Sequence, residues 1–184
     1  MAIEIAYRDI EDIIDDILDR MKDSTYGLNA AITAINTQKA AVDAARGRTV
    51  MIVPKFTDAA MPTAVETLTE GQNLFFFMAE EFVNCDPFMV VTIPTWTTGE
   101  MGVETVTVMF LVVMEDPSDN TDPKRKLLRY IRALKEVLRH FPLDNDIISE
   151  SKTTIVEPDL ISVGQGEQST SYYSAGVKLE LVYA

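Results

Sequence analysis

Four carboxylates crowd a short stretch near the start of the chain: Asp12, Asp15, Asp16 and Asp19. Neighbouring carboxylates are what a metal site or an acid-base catalyst requires, but acids at these spacings are more simply the solvated face of a helix. A second group, Asp116, Asp119, Asn120 and Asp122, superficially resembles a calcium loop. It lacks the alternate-position ligands, the mid-loop glycine and the closing Glu, so it reads as a turn with Asp122 as a helix N-cap. Nucleophilic catalysis needs Ser, Cys or Thr beside a base, most often His, and the chain holds one histidine, His140. That residue falls at the end of a basic helix, where the helix dipole favours a positive or hydrogen-bonding side chain. One His and one Cys, Cys85, cannot assemble a zinc site, and a lone Cys forms no internal disulfide, which fits a reducing cytosol. Gly164 and Gly166 lack the third glycine and the strand-to-helix setting of a dinucleotide loop. The expectation is therefore a protein that is not an enzyme, with no cofactor and no metal.

Charge is distributed unevenly. Lys124, Arg125, Lys126, Arg129, Arg132, Lys135 and Arg139 are seven of the 16 basic residues, with Glu136 the only acid among them. Residues 1–23 hold eight acids against three bases, and the whole chain has a formal net charge of -13. Such a field opposes general nucleic-acid binding, so no sequence-specific nucleic acid is expected. The basic helix instead suits a complementary acidic surface, on the same subunit, a neighbouring copy or another partner. Arg125, Arg129, Arg132 and Arg139 are its candidate interface residues.

The elements that would position these residues follow from periodicity. Hydrophobic residues at 47% and charged residues at 24% describe a chain that folds. Its length suits one domain carrying a helical arm. Ile10, Ile13, Ile14, Ile17, Leu18 and Met21 form one helical stripe. Gly27 interrupts it, and Leu28, Ile32, Ile35, Ala41 and Val42 continue as a second helix to about residue 45, closed by Arg46, Gly47 and Arg48. From Thr49 to Phe88 the prolines Pro54, Pro62 and Pro87 leave extended pieces and loops. Within them Leu74 to Met78 is a compact apolar run, a buried strand or an insertion into a neighbouring subunit, and Phe76 stands at its centre. A strand from Phe88 closed by Pro94 and a longer one from Val103 to Met114 make a hairpin. The longer one is apolar on both faces in its second half, which predicts a mid-sheet position with Phe110, Val112 and Met114 opposing Met109, Leu111 and Val113.

Pro123 starts the basic helix, whose stripe is Leu127, Leu128, Ile131, Leu134, Leu138 and Phe141. Ile147 to Val156 reads as an edge strand, Leu160 to Thr170 as a loop, and Tyr173 to Tyr183 as an alternating strand with one wet face. The predicted class is α+β: an antiparallel sheet with one long amphipathic helix on a face, preceded by an N-terminal helical arm or hairpin. The division is 1–46 for the arm and 47–184 for the sheet domain. One helix covers one face, so Phe110 and Val112 are expected to need another cover, from the N-terminal helices or a neighbouring subunit. No stretch approaches the roughly 20 apolar residues of a membrane span, and MAIEIAYRDIEDI has no secretory pattern.

The order FMVVTIP, VETVTVMFLVVMED, DPKRKLLRYIRALKEVLRHF and SYYSAGVKLELVY, over about residues 86 to 184, resembles the tail terminator and tail-completion proteins of tailed bacteriophages. The resemblance rests on pattern; the N-terminal helices and the stretch to Phe88 depart from it. It implies a small α+β subunit of the virion neck that closes into a ring, commonly a hexamer. The ring would cap the tail tube and join it to the head-tail connector, with DNA passing through it. Localisation would be the virion, and the host cytoplasm during assembly. The family offers no catalytic residues to carry over. The competing expectation is a small non-enzymatic adaptor that docks an acidic partner through the basic helix.

Overall fold

Ile14, Ile17, Leu18 and Met21 recur at helical steps, and all four are buried along one side of α1 (Ile10–Lys22). The computed structural model describes residues 10–57, 61, 68–71, 74–78, 87–99, 103–115, 123–139, 148–163 and 170–183. After α1 the Asp23 carboxylate accepts the backbone N–H groups of Thr25, at 2.8 Å, and Tyr26, at 2.6 Å. Both bonds favour the ionised form and hold the Asp23 pKa below its ordinary value. The chain then enters α2 (Leu28–Ala45), which buries Leu28, Ile32 and Ile35. Val42 is only half-buried and Ala41 is exposed, so the apolar stripe is shorter than predicted. Gly47, at φ 62°, ends the helix: its N–H bonds the Ala44 carbonyl at 3.0 Å while Arg48 N–H reaches back to Asp43 at 2.9 Å. This pattern satisfies the last carbonyls and turns the chain back along α2.

The strands β1 (Leu68–Gly71), β2 (Leu74–Met78), β3 (Phe88–Thr98), β4 (Glu104–Glu115), β5 (Ile148–Val163) and β6 (Thr170–Tyr183) form one sheet in the order β1-β2-β3-β4-β6-β5. Every neighbouring pair is antiparallel. β4 occupies the middle and forms the expected hairpin with β3. Pro94 does not close β3, however, because the register shifts between Thr92 and Thr95 and the strand runs on. A proline is tolerated at such a bulge, where its missing N–H costs no ladder bond. The same device lengthens β5. Its register shifts between Val156 and Asp159, around Pro158, and pairing then resumes through Val163, so Leu160 to Val163 belong to the strand and not to a loop. β5 is the edge strand its mixed composition predicts.

On one face of the sheet Val106, Val108, Phe110, Val112 and Met114 of β4 line up with Met89 and Val91 of β3 and with Ala175, Val177, Leu179 and Leu181 of β6, all buried. The opposite face of β6 shows Lys178 and Glu180 to solvent. The basic helix α3 (Pro123–Arg139) lies against β6, β5 and β4 on the apolar face and also touches α1 and α2. The buried residues of all three helices join a single core with that face. Of the two covers expected for Phe110 and Val112, a neighbouring subunit is not needed: the chain's own helical layer buries both completely, which corrects their assignment to an interface. On the other face Val113 is buried, while Met109 and Leu111 are half-buried. Leu127, Ile131, Leu134 and Leu138 are buried as predicted; Leu128 is the exception, 55% exposed. Asp122 and Phe141 lie outside the described residues.

The class is α+β, an antiparallel sheet with the long amphipathic helix packed on one face and two helices preceding it. Gly176 is where β6 approaches β4 most demandingly. A Cβ there would collide with the Phe110 carbonyl oxygen and lie 2.8 Å from the carbonyl carbon. Gly176→Ala is expected to lower the unfolding free energy by about 1–3 kcal/mol through overpacking. An unchanged urea midpoint would contradict this pairing of β4 with β6.

Candidate functional site

Helix α2 carries a polar stripe beside its apolar one. Asn29, Asn36 and Asp43 recur every seven residues, about two helical turns, and so share a face. Asn36 donates from Nδ2 to the Val53 carbonyl at 2.9 Å and accepts the Val53 N–H at 3.1 Å. Asn29 repeats the arrangement with Phe56, at 2.8 Å and 2.9 Å. Each carboxamide stands in for a strand neighbour, giving a segment outside the sheet the donor and acceptor its inner backbone groups need. The segment, residues 51–57, buries Met51, Val53 and Phe56. From the α3 side the Tyr130 hydroxyl donates to the Pro54 carbonyl at 2.8 Å, and its ring meets Phe56 edge-on with centroids 5.5 Å apart.

Asp43 completes the stripe with a charge. Arg129 donates through Nη2 to its carboxylate at 2.8 Å and through Nη1 to the Met51 carbonyl. Arg125 Nη2 stands 3.6 Å from the other carboxylate oxygen. Both Arg129 and Asp43 are buried. Burial makes each charge expensive alone, and their attraction in a poorly screened setting offsets the loss of water only while both are present. One guanidinium thus ties α3 to α2 and to the start of the segment between them.

Beside this pair the two helices leave a cleft of about 270 Å³, lined by Lys39, Val42, Asp43, Arg46, Arg48, Arg125, Leu128, Arg129 and Arg132. Of these nine described lining side chains six are cationic and one is acidic. Only Arg129 and Arg125 are engaged with Asp43. In a chain of net charge -13 this is a concentrated positive region. Chemically it can hold an anion through guanidinium groups, whose planar fork suits carboxylate and phosphate.

The residues named from sequence divide accordingly. Arg125 and Arg132 line the cleft, half-buried and exposed respectively. Arg129 is interior, which corrects its assignment to an interface: its charge is spent on Asp43 and Met51. Arg139 is exposed in the last turn of α3 and is not among the lining residues. Phe110 and Val112 belong to the core, as above. Phe76 lies in β2, opposite Thr69 of β1 and Thr92 of β3. On α1, Asp12 and Asp19 are exposed and Asp15 and Asp16 half-buried. Cys85, His140, Gly164, Gly166 and the 116–122 turn lie outside the described residues. Among the described residues no group of three or more His, Cys, Asp and Glu side chains gathers as metal ligands, and no helix is long and apolar enough to cross a membrane.

Lys39, Arg46, Arg48 and the Asn29, Asn36, Asp43 stripe were not legible as site residues by apolar periodicity. Their signal is different: polar residues at a seven-residue repeat in an Ala-rich helix, then two arginines flanking the glycine that ends it. No protein-family model matches the chain, and no curated protein matches it.

Asp43→Ala is expected to lower the unfolding free energy by about 3–5 kcal/mol, because it leaves Arg129 buried without its counter-charge. Adding Arg129→Met should recover part of that loss in chemical denaturation. Equal or greater loss in the double variant would show that the two charges are not coupled.

Proposed function

We propose that the chain is a structural subunit of a tailed-bacteriophage neck, of the tail-terminator or tail-completion kind. It would form a ring at the head end of the tail tube and join it to the connector. The stretches that carry the family resemblance fall on β3, β4, α3 and β6, which are packed together as one unit: a hairpin beside the C-terminal strand, with the helix on the apolar face. This reading assigns the protein a role through shape and surface complementarity, in the virion and, during assembly, in the host cytoplasm. Its partners are further copies of itself, the tube protein and the connector, with a passage for DNA through the ring.

The observation that carries the proposal is the open edge at β5. This strand is 16 residues long and pairs with β6 on one side, and no described strand pairs with its other side. An unpaired edge of that length is a template for another chain, and a ring of identical subunits is one way to satisfy it. Pro158 and the register shift beside it divide the edge into shorter stretches, which bounds what a neighbour can pair with. Ile155, on this edge, is 48% exposed. Half-buried Met109 and Leu111 on the outer face of β4 add apolar surface that a neighbour can cover.

Native mass spectrometry of the subunit, alone and with tail tube protein, is expected to show a closed ring of several copies. Ile155→Glu should reduce the ring population about tenfold while shifting stability by no more than about 0.5 kcal/mol, as for an exposed site. A strict monomer under every condition would remove the proposal.

A further inference from the structure

We infer that the cleft between α2 and α3 is a docking site for an acidic peptide segment with interspersed aliphatic side chains, contributed by a partner polypeptide. The inference deepens the assembly reading by giving the partner a chemistry, and rests on that reading only for the partner's existence. Lys39, Arg46 and Arg48 come from the end of α2 and the turn after it, Arg125 and Arg132 from α3, so five cationic groups converge from two elements on one concavity. Lys39, Arg46, Arg48 and Arg132 make no ion pair with another described residue. The floor is the buried Arg129 and Asp43 pair, which ties α3 to α2 beneath these cations.

Three features select a peptide over a nucleic acid. Leu128 and Val42 line the same cleft, and Leu128 is exposed; aliphatic contacts of this kind suit peptide side chains. No described lining residue is aromatic, so none offers a platform on which a base would stack. The net charge of -13 also repels a long polyanion more than a short acidic segment that neutralises the cleft locally. Carboxylates would pair with the guanidinium groups while the aliphatic side chains cover Leu128.

The test uses the full chain and a short synthetic peptide in which pairs of Glu alternate with single Leu, followed by fluorescence anisotropy at physiological salt. Single-stranded DNA, inorganic phosphate and an all-Glu peptide of equal length serve as comparators. Arg46→Glu, Arg48→Glu and Arg132→Glu, each exposed, are expected to weaken peptide binding about tenfold apiece, because each turns an attraction for the acidic segment into a repulsion. Lys135→Glu makes the same change in net charge on an exposed position outside the lining and is expected to alter binding less than about twofold. Leu128→Ser should weaken the Leu-containing peptide and leave the all-Glu peptide unchanged. Thermal melts of each variant separate loss of the site from loss of the fold. The inference is overturned by absence of peptide binding, by equal loss in Lys135→Glu, or by DNA or phosphate displacing the peptide at equal or lower concentration. Binding is read on the subunit in any oligomeric state, so a protein that binds the peptide but never forms a ring would refute the neck reading and leave this site standing.

Discussion

A buried guanidinium sets the geometry of the helical layer. Among the described residues Arg129 places its charge on Asp43 and on the Met51 carbonyl, and each of those contacts belongs to a different part of the chain. Satisfying it fixes α3 relative to α2 and draws the segment after α2 down between them. A pair of this kind adds little net stability against a well-packed apolar substitute, but it penalises every arrangement in which one member is left alone. The result favours one packing of α2, α3 and the connecting segment over the apolar face of the sheet.

That constraint has consequences on both sides of the layer. Inward, Tyr130 and Phe56 meet edge-on, and the face of β4 formed by Val106, Val108, Phe110 and Val112 is closed. Outward, the cations that do not reach Asp43 stay at the rim of a cleft whose floor cannot shift without breaking the pair. On the sheet's other face Met109 and Leu111 are half-buried and Lys178 and Glu180 face water. The chain therefore presents an apolar and edge-strand surface on the sheet side and an electropositive concavity on the helix side.

Much of this was readable from residue order because the elements are strongly periodic. The stripe of α1, the mid-sheet position of β4, the alternation of β6 and the basic face of α3 follow from apolar spacing alone. Proline misled at Pro94, where the strand continues because the register shift removes the need for the missing N–H. The role of Phe110 and Val112 was misjudged because periodicity says a face is apolar but not which part of the chain will lie on it. The segment 51–57 was illegible for another reason. Its order comes from side chains elsewhere, the carboxamides of Asn29 and Asn36, and no local pattern in the segment records them. Counting Arg129 among surface cations was the same error seen from the other helix: charge on a helix face says nothing of a buried counter-charge a long way off in sequence.

Native-state hydrogen exchange at the Val53 and Phe56 amides tests most directly whether these side chains hold α2, the segment and α3 as one unit. Both amides are donated to asparagine side chains and to no regular element. If the clamp exists, they exchange with protection comparable to the buried turns of α3, through the same cooperative opening. Exchange at the rate of an unstructured peptide, with α3 still protected, would contradict it.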